Sequence, residues 1–146
     1  MSDVIERASK LASEGKLDEA IKVYEEALKK SRDPSIMNNL ANLYRIKGLV
    51  ASAIQLYEEA LKIDPSFKEA KLNLAVAYIE IGRHAEAIMI LESLLKGGYE
   101  TDELYLALAV AYEKSRRLAD FIRAYSRVKR PDKDEILREY GVNPPR

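Results

Sequence analysis

The chain has 146 residues, 24 of them basic and 24 acidic, so its formal net charge is zero. That balance removes any bulk electrostatic pull toward nucleic acid or membrane, and the absence of cysteine excludes disulfides, thiol catalysis and thiolate metal sites. A composition of 47% hydrophobic and 33% charged residues reads as a folded, soluble chain; the longest apolar run, Leu104 to Tyr112, is far short of the roughly 20 residues that span a bilayer.

Apolar periodicity and end signals predict nine helices. The first, over 3–14, opens on Asp3-x-x-Glu6, a capping-box pattern, and stops before Gly15. The second, over 17–31, carries Ala20 four residues before Tyr24. The third, over 34–47, follows Asp33-Pro34, a cap and then a proline at the first helical position. Gly48 ends it, and the fourth, over 50–63, repeats the small–large pair as Ala53 and Tyr57. The fifth, over 67–81, opens on Ser66-x-x-Glu69 and ends at Gly82. The sixth, over 84–96, carries Ala87 and Leu91. The seventh and eighth cover 102–114 and 118–129, with Arg116 in the turn where the earlier turns hold glycine. The ninth, over 132–140, comes after Pro131, opens on Asp132-x-x-Glu135 and ends at Gly141. Its Ile136, Leu137 and Tyr140 form one apolar face, suited to covering the end of a stack. A short tail, 141–146, is expected to fray.

Gly15, Gly48 and Gly82 lie 33 and 34 residues apart, and Arg116 falls 34 further on. A period of that length built from two helical patterns signals stacked helix pairs. Leu40, Ala41, Tyr44, Gly48, Ala53, Tyr57, Ala60 and Pro65, with Leu74, Ala75, Tyr78, Gly82 and Ala87, and with Leu108, Ala109 and Tyr112, resemble the tetratricopeptide repeat (TPR) family. The resemblance implies an all-α, right-handed α-solenoid of four helix-turn-helix repeats, about 1–33, 34–67, 68–101 and 102–131, with 132–140 as a C-terminal capping helix. The end repeats depart from the pattern: Arg7 and Leu11 replace the usual Leu and Tyr, and Phe121 replaces the small residue and is expected to push its two helices apart.

No set of residues suggests catalysis. His84 is the single imidazole and reads as an exposed turn residue; there is no glycine-rich phosphate loop and no ligand spacing for a metal. The sequence therefore predicts no enzyme, no cofactor and no metal. Glu25–Glu26 and Glu58–Glu59 read as solvated helix faces, and Tyr24, Tyr44, Tyr57, Tyr78, Tyr112 and Tyr125 fall at the family's core positions. The opening MSDVIERASK lacks the apolar stretch of a secretory signal, so a cytoplasmic protein without a membrane partner is expected.

Function is expected on the inner face. On the third helix the core stripe is Met37, Leu40, Ala41 and Tyr44, and Asn38, Asn42 and Arg45 point the opposite way. The matching residues are Ile5, Ser9 and Ala12 on the first helix, Leu72, Val76 and Ile79 on the fifth, and Leu106, Val110 and Glu113 on the seventh. The face is thus polar in its middle and apolar toward the C-terminal half. A helix apolar on nearly all sides needs cover on all sides. The expected cover is a peptide or helix of a partner protein against Leu72, Val76, Ile79, Leu106 and Val110, with Asn38, Asn39, Asn42 and Asn73 holding polar groups and Arg45 pairing an acid. Self-association through the same strip is the alternative, and shading of the strip by the chain's own curvature is a third reading. Asn39 and Asn73 occupy equivalent positions and look like the backbone-clamping Asn ladder of some family members; each could instead bond a neighbouring group. The clamp by which related domains hold chaperone tails is excluded: Ile5, Ser9, Asn39, Glu69 and Asn73 stand at its positions, only Asn39 matches, and Glu69 would repel a carboxylate. From Lys114 to Arg146 ten basic and five acidic residues give a net of +5; Arg123, Arg127 and Arg130 share one helix face, which makes nucleic-acid binding a minor alternative.

Overall fold

A computed structural model describes the chain from Ser2 to Arg146. The described residues form nine α-helices and no strand: α1 (Ser2–Ser13), α2 (Leu17–Lys30), α3 (Pro34–Ile46), α4 (Val50–Ile63), α5 (Lys68–Glu80), α6 (His84–Lys96), α7 (Asp102–Lys114), α8 (Leu118–Arg127) and α9 (Lys133–Glu139). Every boundary lies within two residues of the one read from periodicity. None of the helices is long and apolar enough to cross a membrane.

The chain divides into two compact units, one up to Ala77 and one from Tyr78 onward. In the first, α1 packs on α2, α2 on α3 and α3 on α4. Ala8 and Ala20 are completely enclosed, and with no bulk beyond Cβ they let adjacent helices close up around Tyr24, Leu28, Ile36, Met37 and Leu40. In the second unit α7 is the hub, packed by α6, α8 and α9. Phe121, by its bulk, is expected to force α7 and α8 apart. Instead it is buried, its ring tilted against Tyr125 at 6.4 Å, and the two helices still pack on each other. The ninth helix is anchored by Leu137, and Val142 just beyond it is equally buried, so the tail is pinned at its start.

The expected caps divide. Asp33 behaves as read: its carboxylate accepts from the backbone N–H groups of Ser35 (2.8 Å) and Ile36 (3.1 Å), two donors that the helix itself leaves unpaired. The other three boxes do not form. Asp3 lies inside α1. Asp64, not Ser66, takes the backbone N–H at the start of the next segment, accepting from Ser66 N at 3.2 Å. Asp132 makes no cap bond and is turned to Arg130. A pattern of four residues cannot distinguish a capping acid from one with a nearer guanidinium.

Gly15, Gly48 and Gly82 all adopt left-handed backbone, with φ of 80°, 84° and 82°. Arg116 takes the same conformation, φ 62°, at the equivalent turn. An L side chain there costs roughly 1–2 kcal/mol, of which glycine's looser unfolded chain offsets roughly 0.5–1 kcal/mol. Arg116→Gly is therefore expected to stabilise the chain by about 1 kcal/mol, visible as a rise of a few degrees in the thermal midpoint. An unchanged or lower midpoint would show that the turn carries no strain.

Candidate functional site

The residues predicted to line the inner face fall into two groups. Leu72, Ile79, Leu106 and Val110 are buried, Val110 to 2% exposure, and Val76 is half-buried. The open apolar strip expected from sequence is therefore corrected: all but Val76 of these side chains are enclosed within the chain. For α7 the reason is plain. Leu104 to Tyr112 is buried without a break because three helices of its own unit surround it. Self-association through the same strip loses its surface for the same reason.

The polar residues lie in the first unit, around a cleft of about 180 Å³ walled by Ala8, Ser9, Ala12, Tyr24, Asn39, Asn42 and Leu43. The structure thus brings Asn39 and Asn42 of α3 to the same opening as Ser9 of α1. Two of the four asparagines are tied to each other: Asn73 Nδ2 donates to Asn38 Oδ1 at 3.0 Å, and Asn38 is buried. Asn42 accepts from the Tyr57 hydroxyl. Asn39 takes part in neither bond, is half-buried and faces the cleft. The two-rung ladder of Asn39 and Asn73 is thus broken at Asn73. Arg45 is half-buried on the same helix.

Glu25, read with Glu26 as a solvated face, is exposed and also has a partner, as does Glu92. Tyr44 donates to Glu25 Oε2 at 2.6 Å, and Tyr112 donates to Glu92 Oε2 at 2.5 Å, so the same tyrosine of the α3 and α7 helices reaches the same glutamate of the preceding helix. Burial, and then the facing carboxylate, push the Tyr44 phenol up to about 12 and raise Tyr112 as well. An unfolded tyrosine ionises near 10, so the stability from these bonds is whole below that pH and is lost as pH climbs toward 12. Tyr44→Phe/Tyr112→Phe should flatten the alkaline decline of the urea midpoint; an equally steep decline in the variant would assign it to other groups.

His84 is not the exposed turn residue that the sequence suggests; it is the first residue of α6 and half-buried, its Nδ1 enclosed without a hydrogen bond. The arginines of the stripe have acidic neighbours in their own unit. Arg123 pairs with Asp120, Arg127 lies 3.6 Å from Glu100, and Arg130 grips Asp132 through two nitrogens at 3.0 Å and reaches Glu103 at 3.3 Å. The segment 78–113 carries seven acidic and two basic residues, a net of −5, and the +5 segment from 114 onward pairs with it through Arg117–Glu92, Arg127–Glu100 and Arg130–Glu103. These pairs draw the stripe toward acids of its own unit, while Arg123 and Arg127 stay exposed. Among the described residues no group of three or more His, Cys, Asp or Glu is placed to hold a metal ion.

Two family models for the tetratricopeptide repeat match residues 5–67 and 46–103, together most of the chain. The chain belongs to the tetratricopeptide repeat family. None of the curated proteins matches the sequence. Among solved structures, the TPR chain is similar to a tetratricopeptide repeat protein from Parabacteroides merdae ATCC 43184 (22% identity, TM-score 0.78, over 94% of this chain and 54% of that one). It is also similar to MamA from Desulfovibrio magneticus RS-1 (18% identity, TM-score 0.77, 95% and 78%) and to PilW, a widely conserved type IV pilus biogenesis factor (18% identity, TM-score 0.80, 87% and 60%). The chain spans about half the length of the Parabacteroides protein. These likenesses show a shared solenoid fold, on which many functions are built.

Proposed function

We propose that this TPR chain is a non-catalytic scaffold that captures an extended peptide of a partner protein at the cleft between α1 and α3. The observation that carries the reading is Asn39. Its amide faces the cleft and takes no part in the Asn38–Asn73 and Asn42–Tyr57 bonds around it. One amide offers both a donor and an acceptor, which is what a backbone peptide unit requires. Small residues at the rim, Ala8, Ser9 and Ala12, let a backbone come close. Asn38, Asn42 and Asn73 hold the wall rigid through their bonds, and Arg45 supplies a cation on the same helix for an acidic flank. Leu72, Val76, Ile79, Leu106 and Val110 serve as the packed support of the inner helices, not as contact surface. A scaffold of this kind fits the TPR fold of MamA and PilW.

A peptide-array screen with the purified chain, then titration of the best binder, tests this. Asn39→Ala should weaken the binder by roughly 0.5–1.5 kcal/mol, about twofold to twelvefold, with folding unchanged. Equal affinity in the variant removes the cleft from consideration. Val110→Glu is unsuitable as a probe, because it would bury an unpaired charge and unfold the hub.

A further inference from the structure

Each unit has a groove along one helix, between the two helices that pack on it. In the first unit it lies over α3, between α2 and α4; in the second it lies over α7, between α6 and α8. Each encloses about 380 Å³. Positions 68 residues apart correspond, as Gly48 and Arg116 do. The floors agree, with Leu40 and Tyr44 in one and Leu108 and Tyr112 in the other. The walls differ. Gln55, Leu56 and Glu59 of α4 stand where α8 carries Arg123, Ala124 and Arg127. The ion pair at the end of the groove is also reversed. In the first unit Arg32, from the α2–α3 connection, is hydrogen-bonded to Glu59. In the second, Glu100 of the α6–α7 connection faces Arg127 at 3.6 Å, longer than a hydrogen bond. The same Glu100 oxygen already accepts the Tyr105 hydroxyl at 2.5 Å, and the Arg127 guanidinium lies 5.7 Å from the centre of the Tyr105 ring. Met37, at the matching position of α3, has no hydroxyl to compete.

We propose that the groove over α7 is a second peptide site, and that it takes an extended segment of a partner protein with one apolar side chain and one carboxylate. The apolar side chain lies between Leu95 of α6 and the Tyr105 ring, and the carboxylate meets Arg123 and Arg127. Charge selects the acid. The lining carries two guanidinium groups against one carboxylate, Asp120, and Arg117 holds that carboxylate as well. The groove over α3 is balanced, with Glu25 and Glu59 against Lys29 and Arg32. The side chains of Arg123 and Arg127 are 73% and 63% exposed, so an incoming carboxylate can reach both and form charge-assisted bonds. Asp120 and Glu100 at the rim repel a run of negative charge such as a nucleic-acid backbone, so a single carboxylate suits the site. Spacing favours an extended segment. Its residues two apart share a face at about 7 Å, close to the one helical turn that separates Arg123 from Arg127. Ala124, in place of the leucine of α4, leaves room above Tyr105 for the apolar residue.

The test titrates the isotope-labelled full chain with the synthetic peptide Gly-Ser-Phe-Ser-Asp-Ser-Gly and follows amide shifts by NMR. Shifts are expected around Tyr105, Arg123 and Arg127, and none around Asn39. Replacing the peptide's Asp by Asn should weaken binding about tenfold, a preference that should shrink in high salt. In the chain, Arg123→Gln/Arg127→Glu gives α8 the residues of α4 and should abolish the preference. Both arginines are exposed, so this variant should melt with the parent, and a matching melting curve guards against misfolding. Ala124→Leu fills the hollow with the side chain that α4 carries and should abolish binding of either peptide. No shifts in this groove, shifts confined to the α1–α3 cleft, or equal affinity for the Asp and Asn peptides overturns the proposal. So does a preference that survives Arg123→Gln/Arg127→Glu. Asn39→Ala should bind the Asp peptide as the parent does, which separates this groove from the α1–α3 cleft.

Discussion

Leu137→Ala is expected to destabilise the chain by about 2–5 kcal/mol. The side chain has no exposed surface, and it is the one buried residue of a helix of 7 residues. A helix that short does not persist in water, because nucleation costs more than its few hydrogen bonds return. The helix is held by Leu137, by Val142 beyond it, and by polar ties at its start: Tyr125 donates to Asp134 at 2.7 Å and the Lys133 ammonium lies 3.9 Å from the Tyr125 ring. Truncating Leu137 removes the largest of these and leaves a cavity against α7. Amide hydrogen exchange should show α9 lose its protection first and α7 next, with α1 to α4 unaffected. Protection of α9 equal to the parent's would mean that the polar ties alone hold it.

Tyr57→Ala is expected to cost about 3–5 kcal/mol, the range for emptying a fully enclosed aromatic site. Tyr57 has no exposed surface and lies at the centre of the α3–α4 pair, where Ala53 and Ala60, one turn to either side, are also fully enclosed. Tyr57→Phe separates packing from polarity. It keeps the ring, leaves the Asn42 carbonyl without its donor, and should cost about 1–3 kcal/mol. It also frees Asn42 at the mouth of the cleft. Measured by urea denaturation, the two variants should therefore differ by more than the error of either. Indistinguishable midpoints would mean that the ring fills its site poorly.

The helices were legible because their signals are local. Gly15, Gly48 and Gly82 mark turns through their own backbone freedom, and Asp33-Pro34 marks a start through a bond to residues two and three positions on. The fourth turn was legible only through the period, since arginine carries no preference for left-handed backbone. The candidate site was half legible. The helical wheel puts Asn39 and Asn42 near one face, and the structure brings both to one cleft. It could not show that Asn73 would turn to Asn38, 35 residues away, because that depends on the spacing between two helices. The same holds for the phenol–carboxylate bonds, which link residues 19 and 20 apart. The apolar strip misled for a different reason. A helix apolar all round reports that it is covered, but not by whom; for α7 the answer is three helices of the same unit.

The opposed charges of residues 78–113 and 114–146 bear on how the chain matures. The acidic stretch leaves the ribosome first, carrying a net of −5 with its counterweight still unmade. Until the arginines of α8 and α9 emerge, α6 and α7 repel one another's carboxylates and lack the cover that hides their greasiest surface. The second unit is thus expected to close only after α8 has emerged, and until then its inner helix offers the greasy surface that a chaperone grasps.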